Sequence, residues 1–354
     1  MTGSGKLTTM ATIKEVARKA KVSVGTVSNV LRGSTRVNSA IRDRVNRAMK
    51  SLDYHPNQIA RSLKTKQTHL LGMVISDITN PYFPRMVRGA EDAAIEHGYL
   101  LVTSNTDLQI EREKRVVSVL RNRRVDGILL VIAPSDGDPE HITNTVASGI
   151  PVVCLDRVPR GIRLSSVTVD AVRGAEMCVR HLVSMGHRAI GIITGHMQLQ
   201  NAIDRLHGYR NILAEAGLQE DPALIGIGDF RTESGYLLTK HMMLAPLPPT
   251  ALFVSSGMMG MGALKALKEL SLRCPEDLAL AVFDELPGNE SYSPEVTVVA
   301  QPEYEIGYRG AKMLIGQIEN GEPPEPLAIT LNAELRIRES TRLRIGTTKS
   351  HVRE

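Results

Sequence analysis

T-I-K-E-V-A-R-K-A-K-V-S-V-G-T-V-S-N-V-L, residues 12–31, reads as two short helices joined by a tight turn. Thr12 stands as N-cap with Glu15 three residues on, the spacing of a capping box. Ile13, Val16, Ala17 and Ala20 then recur at i, i+3, i+4 and i+7 as one apolar stripe. After Lys21 and Val22, Ser23 caps a second helix whose Val27, Val30 and Leu31 share a face. Val24, Gly25, Thr26, Ser28 and Asn29 are left pointing outward, among Lys14, Arg18, Lys19, Lys21, Arg32 and Arg36. A helix with a small polar outer face in a basic setting suits a DNA major groove. Periodicity alone also allows a solvent-exposed helical hairpin. Asn38 caps a third predicted helix with Ile41, Val45, Ala48, Met49 and Leu52 inward, which makes a three-helix unit.

Charge separates this head from the rest. Residues 1–69 hold 14 Lys and Arg against 3 Asp and Glu, a net +11; the other 285 residues hold 29 against 35, a net −6. A basic head on an acidic body implies a polyanion partner for the head only. At 354 residues the chain is expected to form two or three domains. Cys154, Cys178 and Cys274 are odd in number and lack metal-ligand spacing, as free thiols in a reducing cytosol would be. Residues 1–12 have no signal-peptide core, and no apolar run is long enough to span a bilayer. A soluble cytoplasmic protein is expected, with residues 1–10 a disordered lead-in.

From Leu70 onward short apolar runs alternate with helical stretches. L-L-G-M-V-I-S, Y-L-L-V-T-S, G-I-L-L-V-I-A and P-V-V-C-L-D form a first series; A-I-G-I-I-T-G, L-I-G-I-G-D, A-L-F-V-S-S and L-A-L-A-V-F-D form a second. Runs without polar alternation, each followed by a helix, predict parallel sheets covered on both faces. Two series predict two doubly wound lobes, completed after Gln301 by a helix from Tyr304 to Glu319 and closing strands. Ligands of such sheets sit beyond the carboxyl ends of the strands. There lie Tyr82 and Phe83 of N-P-Y-F-P, Asp156 and Arg157, Arg205, Phe230 and Asp284. Aromatic rings can cover an apolar face, Arg makes bidentate contacts, and Asp accepts from hydroxyls. Two structural roles stay open: Asp156 and Asp284 as helix caps, and Arg205 as a partner of Asp204 or another acid.

The run I-K-E-V-A…V-S-V-G-T-V-S-N-V-L-R-G, followed by Y-H-P-N and A-R-S-L-K, resembles the DNA-binding headpiece and hinge of the lactose-repressor (LacI/GalR) family. The resemblance is dense over more than fifty residues and recurs in motifs toward the C-terminus. It implies a helix-turn-helix headpiece over 11–56, with Thr12, Ser23, Asn38, Tyr54 and Asn57 joining the recognition helix in contacting DNA. It implies a hinge over 57–68 that becomes helical when paired on DNA. Leu63 would be its minor-groove wedge, beside Ala60 and Lys64; packing of Leu63 on the headpiece is the alternative. A two-lobed body over 69–345 follows, of the architecture shared with periplasmic sugar-binding proteins. Its first lobe spans about 69–169 and 301–327 and its second about 170–300 and 328–345, with crossings near Asp170, Ala300 and Leu327 and a tail over 346–354. The resemblance further implies that Arg205 and Asp284 hold the polar groups of a sugar or sugar acid, and that two copies pair as a homodimer on operator DNA.

Two positions depart from the family pattern. Gly257, followed by Met258 and Met259, stands where relatives carry Asn or Asp, so a polar pocket wall or helix cap is expected to be missing. Asn29 stands where Arg is common. No metal spacing, Walker A, G-x-S-x-G or dinucleotide fingerprint occurs, and no cofactor is expected. The function expected is a sequence-specific DNA-binding transcriptional regulator, a repressor gated by a small polar effector. The alternatives are a periplasmic-type solute-binding protein without a DNA role and an α/β enzyme using Asp156, Arg205 or Asp284. The second lacks an activated nucleophile beside a base.

Overall fold

The structure, a computed structural model, describes residues 11–31, 34, 36–54, 67–321 and 325–342. The chain divides at Thr68 and His69 into two compact units. Asn57, Ala60, Leu63 and Lys64, the lead-in and the tail lie outside the described residues.

In the first unit α1 (Ile13–Ala20), α2 (Val24–Leu31) and α3 (Ser39–Ser51) enclose Val16, Ala17, Ala20, Val27, Val30, Val45 and Ala48. Both arms of the predicted capping box form: the Thr12 backbone N–H donates to Glu15 Oε2 at 2.6 Å and the Glu15 N–H to Thr12 Oγ1 at 3.4 Å. Helix α1 ends at Lys21, which adopts a left-handed φ of 49° and so starts the turn. Ser23 Oγ accepts from the Thr26 N–H at 3.1 Å and Asn38 Oδ1 from the Ala40 N–H at 2.8 Å. All three caps predicted from the sequence are therefore made.

The second unit carries two six-stranded sheets. The first runs β11 (Ala328–Leu331), β5 (Ser165–Val169), β4 (Val152–Asp156), β3 (Gly127–Leu130), β1 (Leu70–Ile75), β2 (Leu100–Asn105), all parallel. The second runs β12 (Glu334–Arg336), β10 (Thr297–Ala300), β9 (Ala279–Phe283), β8 (Ala251–Val254), β6 (Ile190–Thr194), β7 (Ile225–Ile227), parallel except for β12. Each sheet is apolar on both sides. Leu71, Met73 and Ile75 face α4 (Tyr82–Glu96) and α11 (Glu303–Asn320). Their neighbour Val74 faces the other way, toward α5 (Ile110–Asn122) and α6 (Glu140–Ala147). The second sheet is covered likewise by α7 (Ala171–Ser184) and α8 (Gln200–Glu215) on one face. Helices α9 (Thr232–Met243) and α10 (Gly257–Glu269) cover the other.

The chain crosses between sheets after β5, after β10 and between β11 and β12. The third crossing was expected near Leu327 but falls after Leu331. Strand β11 pairs in parallel with β5 over Ala328–Leu331 and so belongs to the first lobe rather than the second. Strand β5, S-S-V-T-V, escapes the apolar-run reading because two serines open it. They are nonetheless buried, and Ser165 Oγ accepts from Gln317 Nε2 at 2.8 Å. Helices α4 and α11 approach closely enough that a Cβ on Gly307 would lie 1.9 Å from the Met86 carbonyl oxygen, and one on Gly89 2.0 Å from that of Tyr304.

Candidate functional site

The exposed face of α2 is small and polar. Val24, Gly25 and Asn29 are exposed and Thr26 and Ser28 half-buried, while Val27 and Val30 anchor the opposite face. A Cβ on Gly25 would meet nothing nearer than Ser23 Oγ at 3.7 Å, so packing within the headpiece does not require this glycine. Its absent side chain matters only to whatever approaches from outside. Tyr54 packs its ring on the headpiece core.

The second site is a cleft of about 460 Å³ at the carboxyl ends of the strands, and all seven candidate residues of the body line it. It is built from strained turns: Asp107 (φ 52°), Leu108 (60°), Asp156 (66°), Phe230 (65°) and Asp284 (82°) are all non-glycine residues in the left-handed region. Such conformations persist only where surrounding contacts over-determine them, and they concentrate at binding sites.

From the first lobe, Tyr82 and Phe83 form the first turn of α4, edge to face at 5.1 Å and largely buried. The Tyr82 hydroxyl donates to Asp156 Oδ1 at 3.1 Å. Burial pushes its phenol up, and the Asp156 charge adds to this. Arg157 Nη2 donates to Ser76 Oγ at 2.7 Å, and its Nε stands 3.4 Å from Asp156 Oδ2. Burial pulls the Arg157 pKa down, against Asp156.

From the second lobe, Arg205 is 3% exposed, donates through Nη1 to the Ser255 carbonyl at 2.6 Å and lies 3.9 Å over the Phe283 ring. It does not pair with Asp204, which accepts from Gln200 Nε2. Asp284 accepts from the Gly257 N–H at 3.2 Å and from Gln301 Nε2 at 2.5 Å. Burial pushes its pKa up, opposed by Arg205 and both donors. An N–H thus points at each of its two oxygens. The predicted loss of a cap at Gly257 does not occur: Ser256 Oγ accepts from the Met259 N–H at 3.3 Å and Asp284 takes the Gly257 N–H. Asp284 is thus both a cleft residue and a helix cap, while Met258 supplies apolar wall. Phe230 is half-buried with its ring against Gly195, where a Cβ would fall 2.0 Å from Cζ.

Asn201 and Gln301 are cleft residues the sequence reading missed. Asn201 precedes Arg205 by four residues, one helical turn on the same face. Gln301 directly follows β10, in the strand-end position that singled out the other candidates. Asn201 Nδ2 donates across the lobes to Asp156 Oδ2 at 3.3 Å. Four cleft side chains each keep a buried polar atom without a hydrogen bond: Arg157 Nε, Asn201 Oδ1, Arg205 Nε and Gln301 Oε1. Native interiors leave few such atoms unsatisfied.

Among the described residues no three His, Cys, Asp or Glu side chains gather as a metal site, and no helix is long and apolar enough to cross a membrane. Cys154 and Cys178 are buried free thiols pushed up by burial. Cys274 is only partly buried and pushed up to about 12.

A capped helix-turn-helix with a bare polar face, joined to a two-lobed α/β body with an interlobe cleft, defines a DNA-binding regulator of the repressor class. The family model for bacterial regulatory proteins of the lacI family matches residues 12–57, and that for a periplasmic binding protein-like domain matches 179–341. The HTH-type transcriptional repressor CytR of Escherichia coli (strain K12) is 34% identical over 339 residues, covering 95% of this chain and 98% of that one. Among solved structures, the Lac repressor dimer bound to operator and the anti-inducer ONPF superposes with a TM-score of 0.83 at 27% identity, over 94% of this chain and 99% of that one. The transcriptional regulator CelR–cellobiose complex gives 0.71 at 31% identity, over 93% and 99%. The chain belongs to the lacI family of bacterial regulatory proteins. It is a DNA-binding transcriptional regulator and not an enzyme.

Proposed function

We propose that the protein represses transcription as a homodimer on a near-palindromic operator, and that a small polar effector bound between the lobes sets its operator affinity. The observation that carries the effector half is a cleft beyond the carboxyl ends of both sheets in which Arg157, Asn201, Arg205 and Gln301 each keep a buried polar atom without a hydrogen bond. A ligand that satisfies groups from both lobes favours one lobe arrangement over another, and its differential affinity is what shifts DNA binding. The CelR complex, with cellobiose in a similar body, supports a sugar-like ligand. The operator-bound Lac repressor dimer supports two heads reading two half-sites. The assignment of 11–56 to the headpiece, 57–68 to the hinge and 69–345 to the body belongs to the same proposal, as do Asn57, Ala60, Leu63 and Lys64 as DNA contacts. A regulator with this head works in the cytoplasm, where the chromosome is.

Gel shift with genomic fragments, with and without candidate sugars, tests the whole reading. A specific fragment that is bound, and released or tightened by a sugar, is expected; no fragment selected over bulk DNA would sink it. Gly25→Ala tests the DNA face alone. Alanine should stabilise the headpiece by about 0.5–1 kcal/mol through helix propensity, while the added methyl at the groove weakens operator binding. Melting temperature and operator titration must therefore move in opposite senses.

A further inference from the structure

Asp284 sits in the cleft with a left-handed φ of 82°, a conformation an aspartate keeps only where its surroundings fix it. On its amino side the fixing comes from the sheet. Strand β9 ends one residue earlier, and the Asp284 N–H donates to the Val299 carbonyl of β10 at 2.9 Å. On its carboxyl side the next residue, Glu285, is held by two arginines from the far end of the chain. Arg338 grips it as a fork, Nη1 to Oε1 and Nη2 to Oε2, both at 2.9 Å. Arg336 Nη1 adds a bond to Oε2 at 3.1 Å, and Asn289 Nδ2 one to Oε1 at 3.1 Å. Burial alone would push the Glu285 carboxyl up, but the bonds from Arg338 and Asn289 hold it below the usual carboxylate range.

The fork is not needed to close the loop between β9 and β10. Asn289 and Val296 already close it, Nδ2 donating to the Val296 carbonyl at 2.9 Å and the Val296 N–H to Oδ1 at 2.8 Å. What the fork adds is anchorage to one segment of the chain. Strand β12 follows β11 by two residues, at the last crossing from the first lobe. It pairs with β10 so that Leu335 stands opposite Val299, the residue that takes the Asp284 N–H. Strand β10 in turn leads into Gln301, whose Nε2 donates to Asp284 Oδ1. Two of the three crossings thus end on the turn at Asp284, one through Gln301 and one through Arg336 and Arg338.

We infer that Arg338 is a positioning residue, which through its fork on Glu285 fixes the turn that aims the Asp284 carboxylate into the cleft. Neither Arg338 nor Glu285 lines the cleft, so the pair acts from outside it. The inference deepens the proposed effector role of the cleft and rests on Asp284 taking part in it.

Residue-resolved hydrogen exchange on the full-length, ligand-free protein is the test, because two amides report the turn directly. They are the Gly257 N–H, held by Asp284 Oδ2 at 3.2 Å, and the Asp284 N–H itself. Arg338→Met keeps an unbranched stem and removes the fork. Both amides should then exchange roughly tenfold faster, the loss of one charge-assisted hydrogen bond. Gly228 and Thr250, whose N–H groups donate to the Thr194 and Ala189 carbonyls, should keep their rates. Glu285→Gln weakens the same contact from its other side at constant shape and should give the same pattern. The two changes together should be no worse than Arg338→Met alone, since they act through one contact. If Arg338→Met does not fold, Glu285→Gln carries the comparison. Unchanged rates at Gly257 and Asp284 in a folded variant would overturn the inference. So would an acceleration shared equally by Gly228 and Thr250, which would make the pair a brace for the whole lobe. Neither result needs a ligand, so the effector reading stands or falls separately, by operator titration with sugars.

Discussion

The two lobes share one strand order, differing in the antiparallel edge strand β12, and load their common cleft in opposite ways. In the first lobe the polar groups are spent largely on one another: Tyr82 on Asp156, Arg157 on Ser76 and Asp156. In the second, Arg205 is held from behind by the Ser255 carbonyl and the Phe283 ring, and Asp284 by the Gly257 N–H and by Gln301 beside it in the cleft. A self-paired wall changes little when it moves as a body. A wall whose charges are propped from behind keeps its front faces pre-aimed. The same βα frame thus yields one half whose polar groups close on one another and one whose charges are held from outside the pair, which is how fold and site separate.

Arg205→Ala should break this contrast most severely. It strips Asp284 of the guanidinium that offsets its burial and removes the cation over Phe283. Loss of one partner from a buried charged group costs on the order of 3–5 kcal/mol, so effector response and body stability should fall together. A variant that still responds to effector at parental concentrations would place the gripping wall elsewhere. Gly307→Ala probes the first lobe's frame without touching the cleft. The new methyl would sit 1.9 Å from the Met86 carbonyl and drive α11 off α4. About 3 kcal/mol of destabilisation is expected from such overpacking, read by denaturant midpoint. A change below about 1 kcal/mol would mean the helices have room the close approach denies.

Glu303 marks the hinge where the chain re-enters the first lobe after β10. It is 5% exposed, and burial pushes its carboxyl up to about 7, with Asp284 adding to the rise and Arg85, 3.9 Å away, opposing it. A carboxyl whose folded pKa lies above its unfolded one favours folding while protonated. Stability therefore falls as pH rises from about 4.5 through about 7 and is level beyond. Glu303→Gln should remove that slope and stabilise the body at pH 8 by on the order of 2–3 kcal/mol, with no gain at pH 4. Equal stability of both proteins at pH 8 would show the carboxylate is better compensated than its burial suggests.

Legibility in the sequence followed how local each determinant was. The headpiece was readable almost to the residue because capping box, stripe and Asx cap all act within four positions, as Thr12–Glu15 and Asn38–Ala40 do. The strands were readable where both faces are apolar, and failed at S-S-V-T-V because burial there is satisfied by Gln317, 152 residues away in sequence. All seven body candidates lie in one cleft because strand ends are a topological address, legible once a parallel sheet is read. What could not be read was pairing. That Arg205 ignores its neighbour Asp204 in favour of Ser255, or that Asp284 restores the cap thought missing at Gly257, depends on strands brought together by the fold. The crossing after Leu331 was missed for a related reason: A-I-T-L is too short a run to announce which sheet it joins.

Asn201→Ala is the smallest perturbation and the sharpest one. Its side chain spans the lobes through one long hydrogen bond, Nδ2 to Asp156 Oδ2 at 3.3 Å, and carries a buried carbonyl oxygen with no partner. Deleting the amide removes a bond worth about 1 kcal/mol and also an unsatisfied acceptor whose desolvation costs about as much. The two nearly cancel, so the melting temperature of the ligand-free protein should hardly move. Ligand affinity should fall by roughly tenfold, the worth of one hydrogen bond to a group otherwise left buried and unpaired. The other bridges across the cleft, Gln198 to Asp136 at 2.9 Å and Arg231 to the Asp107 carbonyl at 3.3 Å, stay in place and keep the lobes registered. Calorimetry against melting separates the roles. A large loss of stability with unchanged affinity would make Asn201 a strut between the lobes and shift the gripping function onto Arg205, Asp284 and Gln301 alone.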